Sequence, residues 1–126
     1  MDRAISSLMT TPAWTVRATD TVRAIHEKMH RYNLSFVPVV DGPDDIVVGV
    51  ISAGDLLQFQ LAKRDPDAVH AWEICSYKPI EVGPDASLAD VARKMVAAGV
   101  HHVIVTENAQ LKGVVSSMDF VRQFMP

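Results

Sequence analysis

The chain repeats itself, and no other feature of the sequence limits its fold so strongly. Val16-Arg17-Ala18-Thr19-Asp20-Thr21-Val22 lines up with Val82-Gly83-Pro84-Asp85-Ala86-Ser87-Leu88 at an offset of 66 residues. The same offset pairs Lys28-Met29 with Lys94-Met95, and Val37-Pro38-Val39 with Val103-Ile104-Val105. Further on, Gly49-Val50-Ile51-Ser52-Ala53-Gly54-Asp55 matches Gly113-Val114-Val115-Ser116-Ser117-Met118-Asp119 at an offset of 64. The two lost residues fall between Asp41 and Gly49 in one copy and Glu107 and Gly113 in the other. Loops tolerate such length changes. The whole chain has 126 residues, one domain's worth by length. A repeat of about sixty residues is marginal alone. The expectation is therefore one compact body with a shared core and a pseudo-twofold axis.

Each copy carries the same local signals. A short extended piece, Trp14-Thr15-Val16 or Ile80-Glu81-Val82, precedes a helix. Val22, Ile25 and Met29, matched by Leu88, Val91 and Met95, fall on one helical face. Thr19 and Asp85 are expected to cap these helices, and Asn33 and Gly99 to end them. Two β-branched runs follow, Phe36 to Val40 and Ile46 to Ile51, with counterparts His102 to Thr106 and Leu111 to Val115. A second helix closes each copy, Ala53 to Lys63 and Ser117 to Phe124. The fold class is α/β (α+β): two β-α-β-β-α repeats, 1–62 and 71–126, with a linker at 63–70 that contains Pro66. A short helix is expected over Ala68 to Cys75. Trp14 and Trp72 are expected to pack, and Cys75, which aligns with Met9, to fill the core.

Composition excludes several classes. With 48% apolar and 21% charged residues the chain is neither disordered nor low in complexity. A formal net charge of −3 gives no bulk attraction to nucleic acid polymers or anionic membranes. The longest apolar run, Ile46 to Ile51, is far short of a membrane span. The first residues carry no signal-peptide pattern, and the single Cys75 cannot form an internal disulfide. These features predict a cytoplasmic protein.

The chemistry concentrates where each copy's last strand turns into its last helix. Ser52 precedes Asp55 by three residues, as Ser116 precedes Asp119. At a helix N-terminus a carboxylate can accept two hydrogen bonds from a ribose diol, and a hydroxyl can bond a ribose or phosphate oxygen. The same Ser-x-x-Asp pattern also forms a capping box with no ligand at all.

At these residues the chain resembles a tandem pair of cystathionine β-synthase (CBS) domains, a Bateman module. The resemblance runs from about Ile5 to Phe124. It rests on Leu8-Met9-Thr10-Thr11-Pro12, Val37-Pro38-Val39-Val40-Asp41, Gly49-Val50-Ile51-Ser52 with Asp55, and the echo of each in the second half. It implies a regulatory module, not an enzyme, that needs no cofactor. Its ligand would be adenosine-containing (AMP, ADP, ATP or S-adenosylmethionine), held in two clefts between the repeats. One implied cleft takes Ser116 and Asp119 with Ala13, Leu34 and Ser35, and turns His101 and His102 to the phosphates. The other takes Ser52 and Asp55 with Lys78, Ile80 and Val100. Phosphates need donors or positive charge. The Asp119 cleft is favoured because it offers two imidazoles, where the other copy has Ser35 and Phe36. Neither cleft has an arginine at the phosphate-facing positions the family often uses, and Met118 adjoins Asp119.

The resemblance also implies a homodimer, with the flanks of the first helix of each copy (His26 and His30; Ala92 and Val96) at or near the interface. With no effector domain apparent, a protein effector would be reached in trans. The alternative is a ligand-free dimerisation scaffold. A remote alternative is a zinc hydrolase, because His26-Glu27-Lys28-Met29-His30 spells H-E-x-x-H. Against zinc, no spacing marks a third ligand, and the repeat replaces His26, Glu27 and His30 with Ala92, Arg93 and Val96.

Overall fold

The computed structural model describes residues Arg3–Gln123; Phe124, the expected end of the last helix, lies outside the described residues. The fold is mixed α+β. Its elements run β1 (Val16–Arg17), α1 (Val22–Arg31), β2 (Phe36–Asp41), β3 (Ile46–Ser52), α2 (Ala53–Leu61), α3 (Ala71–Ile74), β4 (Glu81–Val82), α4 (Leu88–Ala98), β5 (His102–Glu107), β6 (Gln110–Ser116) and α5 (Ser117–Arg122). Both copies of the β-α-β-β-α order are present.

The chain forms two compact units. One is Trp14–Pro79; the other joins the segment up to Ala13 to everything from Ile80 onward. In the first, β1 pairs parallel with β2, and β2 antiparallel with β3. In the second, β4 pairs parallel with β5, and β5 antiparallel with β6. The register slips at equivalent places, between Val39 and Val40 and between Val105 and Thr106. Duplication is therefore visible down to the irregularities of the ladders.

The leading segment of each sequence repeat lies along the last strand of the other. Ser76 exchanges backbone hydrogen bonds with Val50 at 2.9 and 3.0 Å, and Thr10 does so with Val114 at 2.9 and 3.2 Å. Glycine permits the approach. A β-carbon at Gly49 would sit 2.5 Å from the Ser76 carbonyl oxygen, and one at Gly113 would sit 2.8 Å from the Met9 sulfur. Cys75 and Met9 fill equivalent places against these glycines, as their alignment predicts.

Apolar side chains gather into two clusters, one per unit, where the sequence suggested a single shared core. Val22, Ile25 and Met29 lie in one with Val37, Val39 and Ile51. Leu88, Val91 and Met95 lie in the other with Val103, Val105 and Val115. The helix stripes are thus as predicted, but the caps sit two residues later than expected. Thr21 accepts from the Ala24 N–H at 3.2 Å and Ser87 from the Asp90 N–H at 3.1 Å. Thr19 and Asp85 lie within the turn that leads into each helix. The stops are as expected: Asn33 and Gly99 have φ of 52° and 67°, and the next N–H returns to the Met29 or Met95 carbonyl. The middle helices are shorter than predicted, since Lys63 turns left-handed after α2 and α3 covers four residues.

The two tryptophans do not pack in the core. Trp72 is 53% exposed and Trp14 47%. Trp14 stacks instead on Tyr32, ring centroids 3.8 Å apart, with the Lys28 ammonium over its ring.

Candidate functional site

Ser116 ends β6 and caps α5. Its Oγ accepts from the Asp119 N–H at 3.3 Å, and the Ser116 N–H donates to Asp119 Oδ2 at 2.8 Å. The Ser116 hydroxyl also donates to that oxygen, at 3.1 Å. Ser52 and Asp55 repeat the arrangement at the start of α2, with the corresponding distances 3.2, 2.7 and 3.0 Å. The capping box is therefore real in both copies. It commits one carboxylate oxygen and leaves the second for other work.

That second oxygen distinguishes the copies. Arg122, one turn along α5, brings its Nη1 to 3.2 Å from Asp119 Oδ1. The position equivalent to Arg122 is Gln58, which carries no charge. Sequence reasoning missed Arg122 because it sought an arginine only on the strand side of the site. An i,i+3 pair on one helix face was the available signal. The Asp119 side chain is 16% exposed and Arg122 65%, so the pair is half in water. Such a bond is worth about 0–1 kcal/mol, weak enough for a ligand to displace.

The histidines join the same cluster. The His101 carbonyl accepts from the Ser117 N–H at 2.8 Å, and His102 opens β5 directly opposite Ser116. His101 is exposed and His102 half-buried. Burial, and then the neighbouring His101, push the His102 pKa below its ordinary 6.5, with Asp119 opposing. Thus His102 is mainly neutral at pH 7 and offers an N–H rather than a charge, where the sequence suggested a group near its charge transition. The linkage follows. Below about pH 6.5 the unfolded chain takes up this proton more readily than the folded one, so stability falls as pH drops towards the folded pKa. Thermal unfolding between pH 7.5 and 5 should show this, and His102→Gln should remove that part of the slope. An unchanged slope would contradict it.

In the other unit Ser35 and Phe36 occupy the equivalent places: the Ser35 carbonyl accepts from the Ala53 N–H at 2.9 Å, and Phe36 pairs with Ser52. Leu34 and exposed Lys78 belong to this unit; Ala13, Ile80 and Val100 belong to the unit that holds Ser116 and Asp119. Met118 is 52% exposed, pointing away from the packed interior.

The H-E-x-x-H segment lies on α1 with both imidazoles exposed, ring centroids 6.3 Å apart. Among the described residues no group of three His, Cys, Asp or Glu side chains is placed to hold a metal ion. Nor is any described helix long and apolar enough to cross a membrane.

Comparison with known proteins sets this geometry in a family. The family model described as "CBS domain" matches residues 5–62 and again 71–125. The uncharacterized protein YlbB of Bacillus subtilis is 30% identical over 115 residues, covering 91% of this chain and 78% of its own. Archaeal relatives from Methanopyrus kandleri and Methanocaldococcus jannaschii are matched over 54% and 44% of their length, so this chain spans about half of them. The CBS domain pair of protein MJ0100, solved with 5′-methylthioadenosine and S-adenosyl-L-methionine, superposes with a TM-score of 0.85. It is 22% identical, with 98% of this chain and 97% of that one covered. The CBS domain of a bacterial CNNM/CorC family Mg²⁺ transporter, solved with ATP, gives a TM-score of 0.84 at 22% identity, covering 96% of this chain and 86% of that one. Two matched repeats, over nearly all of its length, make this chain a member of the CBS-domain family, built as a CBS pair.

Proposed function

We infer that the chain is a regulatory, non-catalytic module that binds an adenosine-containing ligand (AMP, ADP, ATP or S-adenosylmethionine). The observation that carries this reading is the convergence of Ser116, Asp119, Arg122, His101 and His102 where β6 turns into α5. It occurs on a fold whose solved relatives hold S-adenosylmethionine, 5′-methylthioadenosine and ATP. Asp119 Oδ1, paired with Arg122, takes the ribose diol once Arg122 swings away, and Arg122 then supplies the phosphate-directed cation the strand residues lack. The base contacts of this reading are Ala13, Leu34 and Ser35. The Ser52, Asp55, Lys78, Ile80 and Val100 set forms the weaker second site.

Binding shifts the module between shapes only as far as the ligand prefers one of them, and a cytoplasmic protein partner reads the shift. The module acts as a homodimer, supported by Val96 on α4, which is 83% exposed, and by its neighbour Ala92. Sedimentation equilibrium at high micromolar concentration should give twice the 13.8 kDa chain mass; a monomer contradicts the dimer alone.

Thermal shift tests the ligand. At ~100 times its dissociation constant, a bound nucleotide adds ~2.7 kcal/mol, a rise of several degrees. AMP, ADP, ATP and S-adenosylmethionine are the panel. If none of them raises the melting temperature, the satisfied capping boxes mark a ligand-free scaffold instead.

A further inference from the structure

The two Ser-x-x-Asp boxes are alike in geometry but not in the charge around them. In the second repeat Asp119 Oδ1 is paired with Arg122 Nη1 at 3.2 Å. His102 lies opposite Ser116 across the ladder, and the His101 carbonyl is bonded to the Ser117 N–H. In the first repeat the places of Arg122, His101 and His102 hold Gln58, Ser35 and Phe36, none of which carries a charge. Among the described residues no Lys, Arg or His is paired with Asp55. Both boxes close equally well, with the Asp N–H 3.3 and 3.2 Å from the Ser Oγ. The arginine is therefore not a requirement of the capped fold.

The ion pair has a consequence for any ligand that uses Asp119. Oδ2 is committed to the box, accepting from the Ser116 N–H at 2.8 Å and from its hydroxyl at 3.1 Å. A ribose diol must reach Oδ1, and in doing so it displaces Arg122. The displaced guanidinium keeps its charge, because arginine stays protonated in proteins. Its side chain is 65% exposed, so it moves into water at the cost of the pair alone. Every adenosine ligand meets that cost. Only one with an anion next to its ribose offsets it, because the guanidinium then donates to phosphate oxygens in charge-assisted bonds. An uncharged 5′ group offsets nothing. The sulfonium of S-adenosylmethionine sets a positive charge on the 5′ carbon, close to the guanidinium, and like charges repel.

We propose that Arg122 is the specificity-determining residue of this site, selecting adenosine ligands that bear a 5′-phosphate over uncharged nucleosides and S-adenosylmethionine. The proposal rests on the reading of Ser116 and Asp119 as the ribose site. It names the class of ligand that site takes.

Calorimetric titration of the full chain with AMP, adenosine and S-adenosylmethionine tests it, comparing wild type with Arg122→Gln. That change gives α5 the side chain the first repeat has at Gln58, at an exposed last-turn position that leaves the capping box in place. Wild type should bind AMP at least about tenfold more tightly than adenosine, with S-adenosylmethionine no tighter than adenosine. In Arg122→Gln, AMP should weaken about tenfold, the worth of a charge-assisted hydrogen bond. Adenosine should hold its affinity or gain up to about fivefold, the worth of an exposed ion pair. Arg122→Lys, which keeps the charge but loses the planar fork, should retain part of the AMP preference. Equal losses for AMP and adenosine would give Arg122 a merely structural role and overturn the proposal. So would an unchanged AMP affinity in Arg122→Gln, or wild-type binding of adenosine or S-adenosylmethionine as tight as that of AMP. In each of those cases a loss of binding in Asp119→Ala leaves the ribose site standing. If none of the three ligands binds wild type, the ribose site and the selector fall together.

Discussion

Replacing Gly49 by alanine is expected to destabilise the fold by about 3 kcal/mol, although it adds one methyl group. Gly49 has no unusual backbone angle, so the cost comes wholly from crowding. The new carbon would meet the Ser76 carbonyl oxygen at 2.5 Å and the Cys75 sulfur at 2.9 Å. That carbonyl is backbone, pinned by its hydrogen bond from the Val50 N–H, and can retreat only by breaking the bridge. Gly113→Ala should cost less, about 1–2 kcal/mol. Its nearest obstacle is the flexible Met9 side chain at 2.8 Å, although the Thr10 carbonyl stands at 2.9 Å. Urea unfolding with an unchanged m-value gives both numbers. Met9→Ala should recover part of the Gly113→Ala loss, whereas Cys75→Ala should recover little of the Gly49→Ala loss. A Gly49→Ala protein within about 0.5 kcal/mol of wild type would show that the leading segment is not seated as described.

Asp119→Ala is expected to abolish nucleotide stabilisation, and Asp55→Ala serves as its matched control. Both variants break a capping box of nearly identical geometry. Each should therefore lose a similar ~1–2 kcal/mol of unliganded stability. Any difference between them in ligand response then reports on binding rather than folding. The several-degree rise with nucleotide should persist in Asp55→Ala and vanish in Asp119→Ala. Equal responses would remove the preference for the second-repeat site while leaving open which carboxylate is used.

The repeat made most of the fold legible, because two imperfect copies of each signal check one another. The stripes Val22-Ile25-Met29 and Leu88-Val91-Met95, the Asn33 and Gly99 stops and the β-branched strands are readable from spacing alone. What escaped was set by contacts distant in sequence. The placing of Met9 and Cys75 against Gly113 and Gly49 depends on the leading segment of each repeat crossing to the other, which no local pattern encodes. Trp14 looks like core material by residue type, yet its partner is Tyr32 on the surface. Thr19 and Asp85 are good cap residues, but the turn ahead of each helix places Thr21 and Ser87 at the cap instead. At the candidate site, Ser116 and Asp119 were visible as a motif, and their box geometry followed. The ion pair with Arg122 was legible as an i,i+3 spacing but was overlooked, whereas the burial of His102 required the folded chain.

The central claim is that adenosine ligands bind this CBS pair through the second repeat's Ser116 and Asp119. Calorimetric titration of the wild-type chain, Asp55→Ala and Asp119→Ala with AMP, ATP and S-adenosylmethionine tests it most directly. The account predicts saturable binding of at least one of these ligands to the wild type and Asp55→Ala, with a loss of at least about tenfold in affinity in Asp119→Ala, as befits a charged hydrogen-bond acceptor. Absence of binding to the wild type, or a loss confined to Asp55→Ala, would contradict it.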